Sequence, residues 1–443
     1  MRRPEVPFRE ALRFWVKLGF VNFGGPTGQI AIMHHELVEK RRWMEEDRFL
    51  HALNFCTLLP GPEAQQLAIY VGWLLHRARG GIVAGIAFVL PAMYLMLGLA
   101  WLYAVHGELS WVAAVFDGLG AAVVGIVGAA VIRIGARTLS SGAMVAVAAA
   151  SFAGLFLYRL PFPAVILAAG ALGFAGGHLR PDVFSTIRDQ SDSSENLDEE
   201  VAMHTRPSLG RSVRVLGIGL AVWWAPLVLV ALLRGPGDVL TDEALFFSKA
   251  AVVTFGGAYA VLAYIDRAAV GYGWLTPGEM VTGLGLAEST PGPLIMVTQF
   301  VGFVAAYRSP GGLDPLVAGV IGALVTVWAT FAPSFLWVFL GAPYVERLRG
   351  NVRLRGTLAT ITAAVVGVVL SLAVSFALRV LFEDVRVFHL LGATIPVPTP
   401  SSLDPFATAV ALIAFLGIWR SRWNVVPVVI ASAAAGWLRS LIS

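Results

Sequence analysis

Cysteine, lysine and charge of either sign are scarce in this chain of 443 residues. Cys56 is the single cysteine, which excludes an intramolecular disulfide and any metal site built from several cysteines, so an ordinary buried thiol is expected. Charged residues make up 14% of the chain and hydrophobic residues 57%. Because many uncharged runs exceed ~18 residues, a water-soluble surface is excluded, and the sequence predicts an all-α polytopic membrane protein.

Signatures of enzymes are also missing. His34-His35-Glu36 resembles the start of a zinc-protease helix, but Glu39 occupies the position that the second zinc-binding histidine would need. The sequence contains no Walker loop either, so we expect no ATP hydrolysis, no catalytic residues, no metal and no cofactor. The net charge of +4 arises from arginines in short loops between apolar runs. Positive-inside topology explains these arginines better than nucleic-acid binding does.

One stretch of the chain occurs twice. WVKLGFVNFGG at 15–25 matches FSKAAVVTFGG at 247–257 with an offset of 232, and Pro-Gly-Pro at 60–62 matches 291–293 with an offset of 231. The chain contains three lysines, and two of them occupy equivalent positions of this repeat. The sequence therefore predicts two copies of one unit.

Hydropathy and charge predict four regions. These are a first repeat at 1–178, a linker at 179–214, an extra transmembrane helix at 215–234 and a second repeat at 240–443. The linker holds five arginines and seven acidic residues without an apolar run, so it should be solvated. Because an odd number of crossings separates equivalent segments, the copies should enter the membrane with opposite polarity. We therefore predict two inverted-topology repeats with broken or re-entrant helices.

The distribution of arginines predicts a cytoplasmic N-terminus. This orientation places in the cytoplasm Arg77 and Arg79, Arg133 and Arg137, the linker, the arginines between Arg347 and Arg355, and Arg420 with Arg422. The turns at 106–110, 234–243 and 383–403 then lie outside. The basic loop at 34–48 fits the cytoplasm only if the Phe-Gly-Gly and Pro-Gly-Pro segments are re-entrant hairpins. The sequence leaves thirteen spans or about nine as alternatives.

Two chemical features of the repeat point to an anion. A lysine within an apolar segment costs roughly 2.5–3.5 kcal/mol on insertion scales, so Lys17 and Lys249 either snorkel to the headgroups or face an anion together. Pro-Gly-Pro either kinks a helix or starts a half-helix whose free N–H groups bind an anion. Phe-Gly-Gly permits close approach of the backbone to a helix or to a ligand.

Neutral hydrogen-bonding side chains and three acids complete the candidates. The neutral ones are Asn22, Thr254, Gln65, Gln66, Thr290, Thr298 and Gln299. Glu63, Glu288 and Asp117 either carry a coupling proton or serve polar helix packing. The predicted substrate-binding residues are Lys17, Asn22, Phe23, Gly24, Gly25, Pro60, Gly61 and Pro62 in the first repeat and Lys249, Thr254, Phe255, Gly256, Gly257, Pro291, Gly292 and Pro293 in the second.

Over nearly its whole length, the chain resembles the long, two-domain form of the chromate ion transporter (CHR) family in these twin motifs. The resemblance implies a secondary transporter that exports chromate across the bacterial inner membrane and confers chromate resistance. The implied partners are chromate, with sulfate as its analogue, and the lipid bilayer, and a homodimer is a further expectation. Uptake or exchange of sulfate or another oxyanion, an intramembrane enzyme and a scaffold remain alternatives.

Overall fold

A computed structural model describes residues 6–23, 25–107, 109–179, 208–255, 258–344 and 352–441. Within these residues the chain forms sixteen α-helices. They are α1 Phe8–Val21, α2 Gly25–His34, α3 Glu46–Cys56, α4 Glu63–His106, α5 Ser110–Thr138, α6 Gly142–Phe156, α7 Phe162–Leu179, α8 Leu209–Arg234, α9 Val239–Val253, α10 Ala258–Gly271, α11 Glu279–Ser289, α12 Val297–Arg308, α13 Pro315–Gly341, α14 Val352–Leu381, α15 Pro405–Trp419 and α16 Val425–Ser440. A π-helical turn at His35–Lys40 follows α2, and a hairpin of β1 Val385–Leu390 with β2 Ala393–Pro398 follows α14.

The long apolar helices confirm the predicted fold class. Five of them have the length and composition to cross a membrane, namely Glu63–His106, Ser110–Thr138, Leu209–Arg234, Pro315–Tyr344 and Gly356–Leu381. Shorter apolar helices of 10–17 residues accompany them. The protein is therefore an all-α polytopic membrane protein, as its composition predicts.

Each repeated motif coincides with a break between two helices. The first Phe-Gly-Gly separates α1 from α2 and the second separates α9 from α10, while the two Pro-Gly-Pro motifs separate α3 from α4 and α11 from α12. Helix α1 has 14 residues and α2 has 10, so neither alone covers a hydrocarbon core of about 30 Å. The predicted breaks are confirmed.

The chain divides into two compact units. Unit 1 comprises residues 1–98, 188–258 and 290–350, and unit 2 comprises residues 99–187, 259–289 and 351–443. Each unit therefore combines segments from both halves of the sequence. Both Pro-Gly-Pro motifs and both repeated lysines belong to unit 1.

In unit 1, helix α4 folds back on itself. Its backbone is not helical at His76 and Arg77, and the two pieces pack through Gly72 and Gly80. A Cβ atom on Gly72 would lie 2.5 Å from the carbonyl oxygen of Gly80, so only glycine permits this contact. Arg77 thus ends the helix that follows Pro-Gly-Pro, as the charge pattern predicts.

Helices α12 and α13 of unit 1 pack in the same way. A Cβ atom on Gly302 would lie 2.7 Å from the carbonyl oxygen of Gly322. Helix α13 also packs against α8 and α9, so it forms the centre of this part of the unit. Small residues at such contacts let membrane helices approach closely.

Unit 2 is organised around α5 and α14. Helix α14 packs against α5, α6 and α7, while α15 and α16 pack against α5. The β1–β2 hairpin joins α14 to α15 in a region that we expected to be a plain turn. Leu391 and Gly392 both have positive φ, as two-residue hairpin loops require, and the unrecognised pairing of the flanking strands accounts for the difference.

The region between the predicted repeats also differs in detail. Helix α8 begins at Leu209, six residues before the predicted start of the extra transmembrane helix, and it ends at Arg234. Most of the predicted linker, residues 180–207, lies outside the described residues. Cys56 is a buried free thiol, which confirms the expectation for it.

Candidate functional site

The helix breaks at the four repeated motifs of unit 1 are joined in two pairs. The backbone N–H of Gly61 donates to the carbonyl oxygen of Thr254 over 2.9 Å, and the N–H of Gly292 donates to the carbonyl oxygen of Asn22 over 2.8 Å. Gly61 and Gly292 occupy equivalent positions of the repeat, as do Asn22 and Thr254. We call the two contacts the Gly61 crossing and the Gly292 crossing. In each, Pro-Gly-Pro from one half of the sequence meets the Phe-Gly-Gly break of the other half.

Both crossings require glycine. Gly61 has a φ of 125° and Gly292 a φ of 120°, values that side chains rarely tolerate. A Cβ atom on Gly61 would lie 2.8 Å from Nε2 of Gln66 and 3.1 Å from Oγ of Ser334. A Cβ atom on Gly292 would clash with the Cβ atom of Ala92. Each glycine thus packs against the long helix of the other half.

Proline precedes the contact residue on both long helices. Pro91 comes directly before Ala92 in α4, and Pro333 directly before Ser334 in α13. A proline inside a helix leaves a carbonyl oxygen without its usual partner and opens the backbone locally. The two crossings therefore have the same construction, with the halves exchanged.

Amide side chains fix the Pro-Gly-Pro backbone at both crossings. Nε2 of Gln66 donates to the carbonyl oxygen of Pro60 over 2.7 Å, and Nε2 of Gln29 donates to the carbonyl oxygen of Gly292. The hydroxyl of Thr254 donates to the carbonyl oxygen of Ala250 over 2.6 Å, which closes the end of α9. These bonds hold the Pro-Gly-Pro loops and the end of α9 in one conformation.

Several buried polar atoms at the crossings have no hydrogen-bond partner among the described residues. Both side-chain atoms of Asn22 are in this state, although Asn22 is 0% exposed. The same holds for Oε1 of Gln66 and Oγ of Ser334. Further examples in the neighbouring helices are Oε1 of Gln65, Oγ1 of Thr298 and Oε1 of Gln299. A buried polar group without a partner costs about 1–3 kcal/mol, so these groups are available to a polar ligand.

The two lysines differ from the residues at the crossings. Lys17 and Lys249 each lie five residues before the residue that accepts the crossing hydrogen bond, and both side chains are exposed. Neither lysine forms an ion pair with a described residue of the chain. The structure thus joins the predicted backbone residues of the motifs, and no hydrogen bond or ion pair joins either lysine to a described residue. Their predicted role as charge partners of an anion stays a prediction.

The remaining predicted residues surround these contacts. Phe23, Gly25, Pro60 and Phe255 are partly buried, whereas Pro62, Thr290, Pro291 and Pro293 are buried. Gly24, Gly256 and Gly257 lie outside the described residues. Helix α4 begins at Glu63, directly after Pro62, and α12 begins at Val297, four residues after Pro293.

The three candidate coupling acids are not gathered in one place within a unit. Glu63 is partly buried in unit 1. Glu288, in unit 2, is buried and accepts a hydrogen bond of 2.5 Å from the hydroxyl of Tyr259. Asp117 is exposed on α5 of the same unit. Their predicted roles stay predictions.

Sequence reasoning missed three polar residues of unit 1. Gln29 and Ser334 lie at the crossings, and Glu243 in α9 is 0% exposed with both carboxylate oxygens lacking a partner among the described residues. The sequence signal that could have identified Gln29 and Ser334 is that each is a single polar side chain within an apolar run. Glu243 belongs to a stretch that we assigned to a turn. The described residues contain no group of three metal-ligating side chains.

Comparison with known proteins identifies relatives of the chain. A family model described as chromate transporter matches residues 9–174 and 242–437. The chromate transport protein of Pseudomonas aeruginosa is 30% identical over 98% of this chain and 93% of its own length. A probable chromate transport protein of Synechococcus elongatus is 28% identical over 83% of this chain and 84% of its own, and the chromate transport protein of Cupriavidus metallidurans is 27% identical over 85% and 84%. No solved structure shows a significant match.

Proposed function

Because the chain belongs to the chromate transporter family, we propose that it exports chromate from the bacterial cytoplasm through the inner membrane and thereby confers chromate resistance. Three relatives that cover most of the chain carry chromate transport in their names, which supports chromate as the substrate. In this proposal the N-terminus lies in the cytoplasm, as the distribution of arginines predicts.

The observation that carries the proposal is the pair of crossings in unit 1. Discontinuous helices that meet through their backbones form the substrate sites of many secondary transporters, because free N–H groups and positive helix ends face the ligand there. Nδ2 of Asn22 and Oγ of Ser334, which have no partner among the described residues, supply neutral hydrogen-bond donors at these points, whereas the unpartnered atom of Gln66 is an acceptor oxygen. An oxyanion stripped of water can use the Asn22 amide N–H and the Ser334 hydroxyl as donors.

Lys17 and Lys249 supply the positive charge in this proposal. Moving a dianion out of water without compensating charge costs several kcal/mol even after relaxation. Lys17 and Lys249 are both exposed, and neither forms an ion pair with a described residue of the chain. A lysine ammonium is a compact charge with three donors, which suits a tetrahedral oxyanion.

The membrane potential favours export over uptake. With a negative interior, one elementary charge gains about 2.3 kcal/mol per 100 mV, so a dianion gains about 4.6 kcal/mol on leaving. Export therefore needs no coupled ion. Uptake of sulfate, the principal alternative, would need co-transported cations.

Purified protein in liposomes tests the proposal. Vesicles loaded with chromate and given a negative interior by a potassium gradient with valinomycin should release chromate faster than vesicles without a potential. The same experiment with labelled sulfate measures the preference between the two oxyanions. If the rate of chromate release does not depend on the membrane potential, transport must be an electroneutral exchange. If a proton or sodium gradient drives sulfate accumulation, the protein is the uptake carrier of the alternative. Failure to carry either anion would overturn the proposal.

A further inference from the structure

Unit 2 contains a cavity of about 480 Å³ that the proposed function does not use. It lies between the end of α6, helices α10 and α14 and the β1–β2 hairpin. Its charged lining consists of Arg159, Arg267, Arg379 and Asp266. We call this cavity the arginine pocket. The hydroxyl residues Ser371, Ser375 and Thr394 line it as well.

The arginine pocket carries a surplus of positive charge. Asp266 is buried and forms an ion pair of 2.8 Å with Arg379, which also donates to the carbonyl oxygen of Pro277 over 2.9 Å. Three guanidinium groups thus face one carboxylate, and two positive charges remain without a counter-charge in the lining. Two uncompensated charges match the charge of a dianion such as sulfate or chromate.

Arg267 is held in place by neutral groups. Its guanidinium donates to the carbonyl oxygen of Leu155 over 2.7 Å and to that of Leu160 over 3.0 Å. These bonds orient the planar fork without neutralising it. A guanidinium with a fixed orientation loses little entropy when an oxyanion binds.

Arg159 is the least constrained charge of the pocket. It is exposed, its φ of 52° lies in the left-handed region, and it makes no hydrogen bond or ion pair with a described residue. It lies close enough to Arg267 for the two like charges to repel each other. An anion between the two guanidinium groups would turn this repulsion into two attractive, charge-assisted contacts.

We propose that the arginine pocket is a second binding site for a divalent tetrahedral oxyanion, separate from the two crossings. In the predicted orientation Arg137 is cytoplasmic, so the turn after α6 that holds Arg159 faces the outside, as does the 383–403 region. The 266–278 loop lies outside as well if the repeated motifs form re-entrant hairpins. The pocket would then hold the anion on the outer side of the membrane. This location does not depend on which residues bind the anion in unit 1.

Binding of labelled sulfate to the full-length protein in nanodiscs of neutral lipid tests the proposal. The wild-type protein should bind two sulfate ions per chain, and Arg159→Gln should lose one of them or bind it about tenfold more weakly or worse. Arg422→Gln is the matched control, because Arg422 is also exposed, has a φ of 54° and lies outside the pocket. Equal sulfate binding by these two variants would overturn the proposal.

Two further variants separate this proposal from the one for unit 1. A Lys17→Met, Lys249→Met double variant should keep the site that Arg159→Gln loses. If the double variant binds as much sulfate as the wild type while Arg159→Gln loses a site, the sulfate site in the arginine pocket is supported and the proposed role of the lysines is refuted. Asp266→Asn removes the carboxylate of the pocket and should tighten its site. Weaker binding by a folded Asp266→Asn variant would contradict the assignment.

Discussion

The backbone N–H of Gly61 donates to the carbonyl oxygen of Thr254, a residue from the opposite half of the chain. The equivalent bond from Gly292 to Asn22 has the halves exchanged. A helix that stops inside a membrane leaves carbonyl oxygens unpaired, and in a medium without water each such group costs several kcal/mol. Each Pro-Gly-Pro motif thus completes the broken helix end of the other half.

We expect Gly61→Ala and Gly292→Ala to reduce transport and stability. Each substitution forces a side chain into a positive-φ conformation, which costs about 1–3 kcal/mol. Gly292→Ala should be worse, because its Cβ meets Ala92 on a helix, whereas Gly61→Ala meets the flexible end of Gln66. Chromate efflux from liposomes and thermal unfolding in detergent measure the two effects.

Gly98→Ala provides the control for these substitutions. Gly98 is helical, and a Cβ atom there would contact nothing within 4 Å. This variant should keep wild-type efflux and gain up to about 1 kcal/mol of stability. If Gly292→Ala behaves like Gly98→Ala, the positive φ at the crossing is not required.

Replacement of the repeated lysines should abolish most transport without unfolding the protein. Lys17→Met and Lys249→Met keep the apolar stem and remove the charge, so chromate efflux should fall by about tenfold or more. Because both lysines are proposed to hold one ion, the double variant should be scarcely worse than the worse single variant. Arginine should restore transport only in part, since its planar fork does not reproduce a compact charge.

Lys40→Met is the matched control, because Lys40 is the third lysine of the chain and forms an ion pair of 2.8 Å with Glu36 outside the motifs. It should transport as the wild type does. Normal chromate efflux by a well-expressed Lys17→Met, Lys249→Met double variant would leave both lysines as snorkelling anchors.

Cysteine labelling can test the predicted inverted repeats. Cys56 is buried, so a Cys56→Ser background should allow single cysteines to be introduced at Leu109 and at Tyr272, two exposed positions. An impermeant thiol reagent should label Leu109→Cys from outside intact cells, and Arg137→Cys only after the cells are opened. Tyr272→Cys should be labelled in intact cells if the repeated motifs form re-entrant hairpins, and only in opened cells if both segments cross the membrane. Labelling of Leu109→Cys only in opened cells would refute the predicted orientation.

Acid should weaken the start of α15. The carboxylate of Asp404 accepts from the N–H groups of Phe406 at 2.8 Å and Ala407 at 3.0 Å and pairs with Arg439 at 3.1 Å. Burial alone would raise the pKa of Asp404, but these N–H groups and the guanidinium outweigh it and lower the pKa. Since the folded pKa lies below the unfolded value near 3.9, the stabilisation is complete above about pH 3.9 and is lost as the pH falls through the folded pKa.

Asp404→Asn keeps a capping side chain but removes the charge, so its thermal stability should change less than that of the wild type between neutral pH and about pH 3. Asp404→Ala should lose about 0.5–2 kcal/mol at neutral pH. The explanation fails if Asp404→Asn and the wild type show the same loss of stability in acid.

The sequence allowed the helix breaks to be predicted but not their partners. Pro-Gly-Pro disrupts a helix by local chemistry, so the break before Glu63 follows from the residues themselves. The contact between Gly61 and Thr254 joins segments that are far apart in the sequence, and a hydropathy pattern does not predict which segments meet. Gln29 and Ser334 were missed for the same reason. The two compact units also mix both halves of the chain, which a division by repeat and linker does not reveal.

The hydrogen bonds of the two crossings each join one half of the sequence to the other, so neither half should fold fully when it is produced alone. Neither half alone can supply both the donor glycine and the acceptor carbonyl of a crossing. A half expressed by itself would have to find a second half-length chain, of its own kind or of the other, to close its broken helix. Two separately produced fragments, divided between Leu179 and Ser208, should therefore be recovered as one complex.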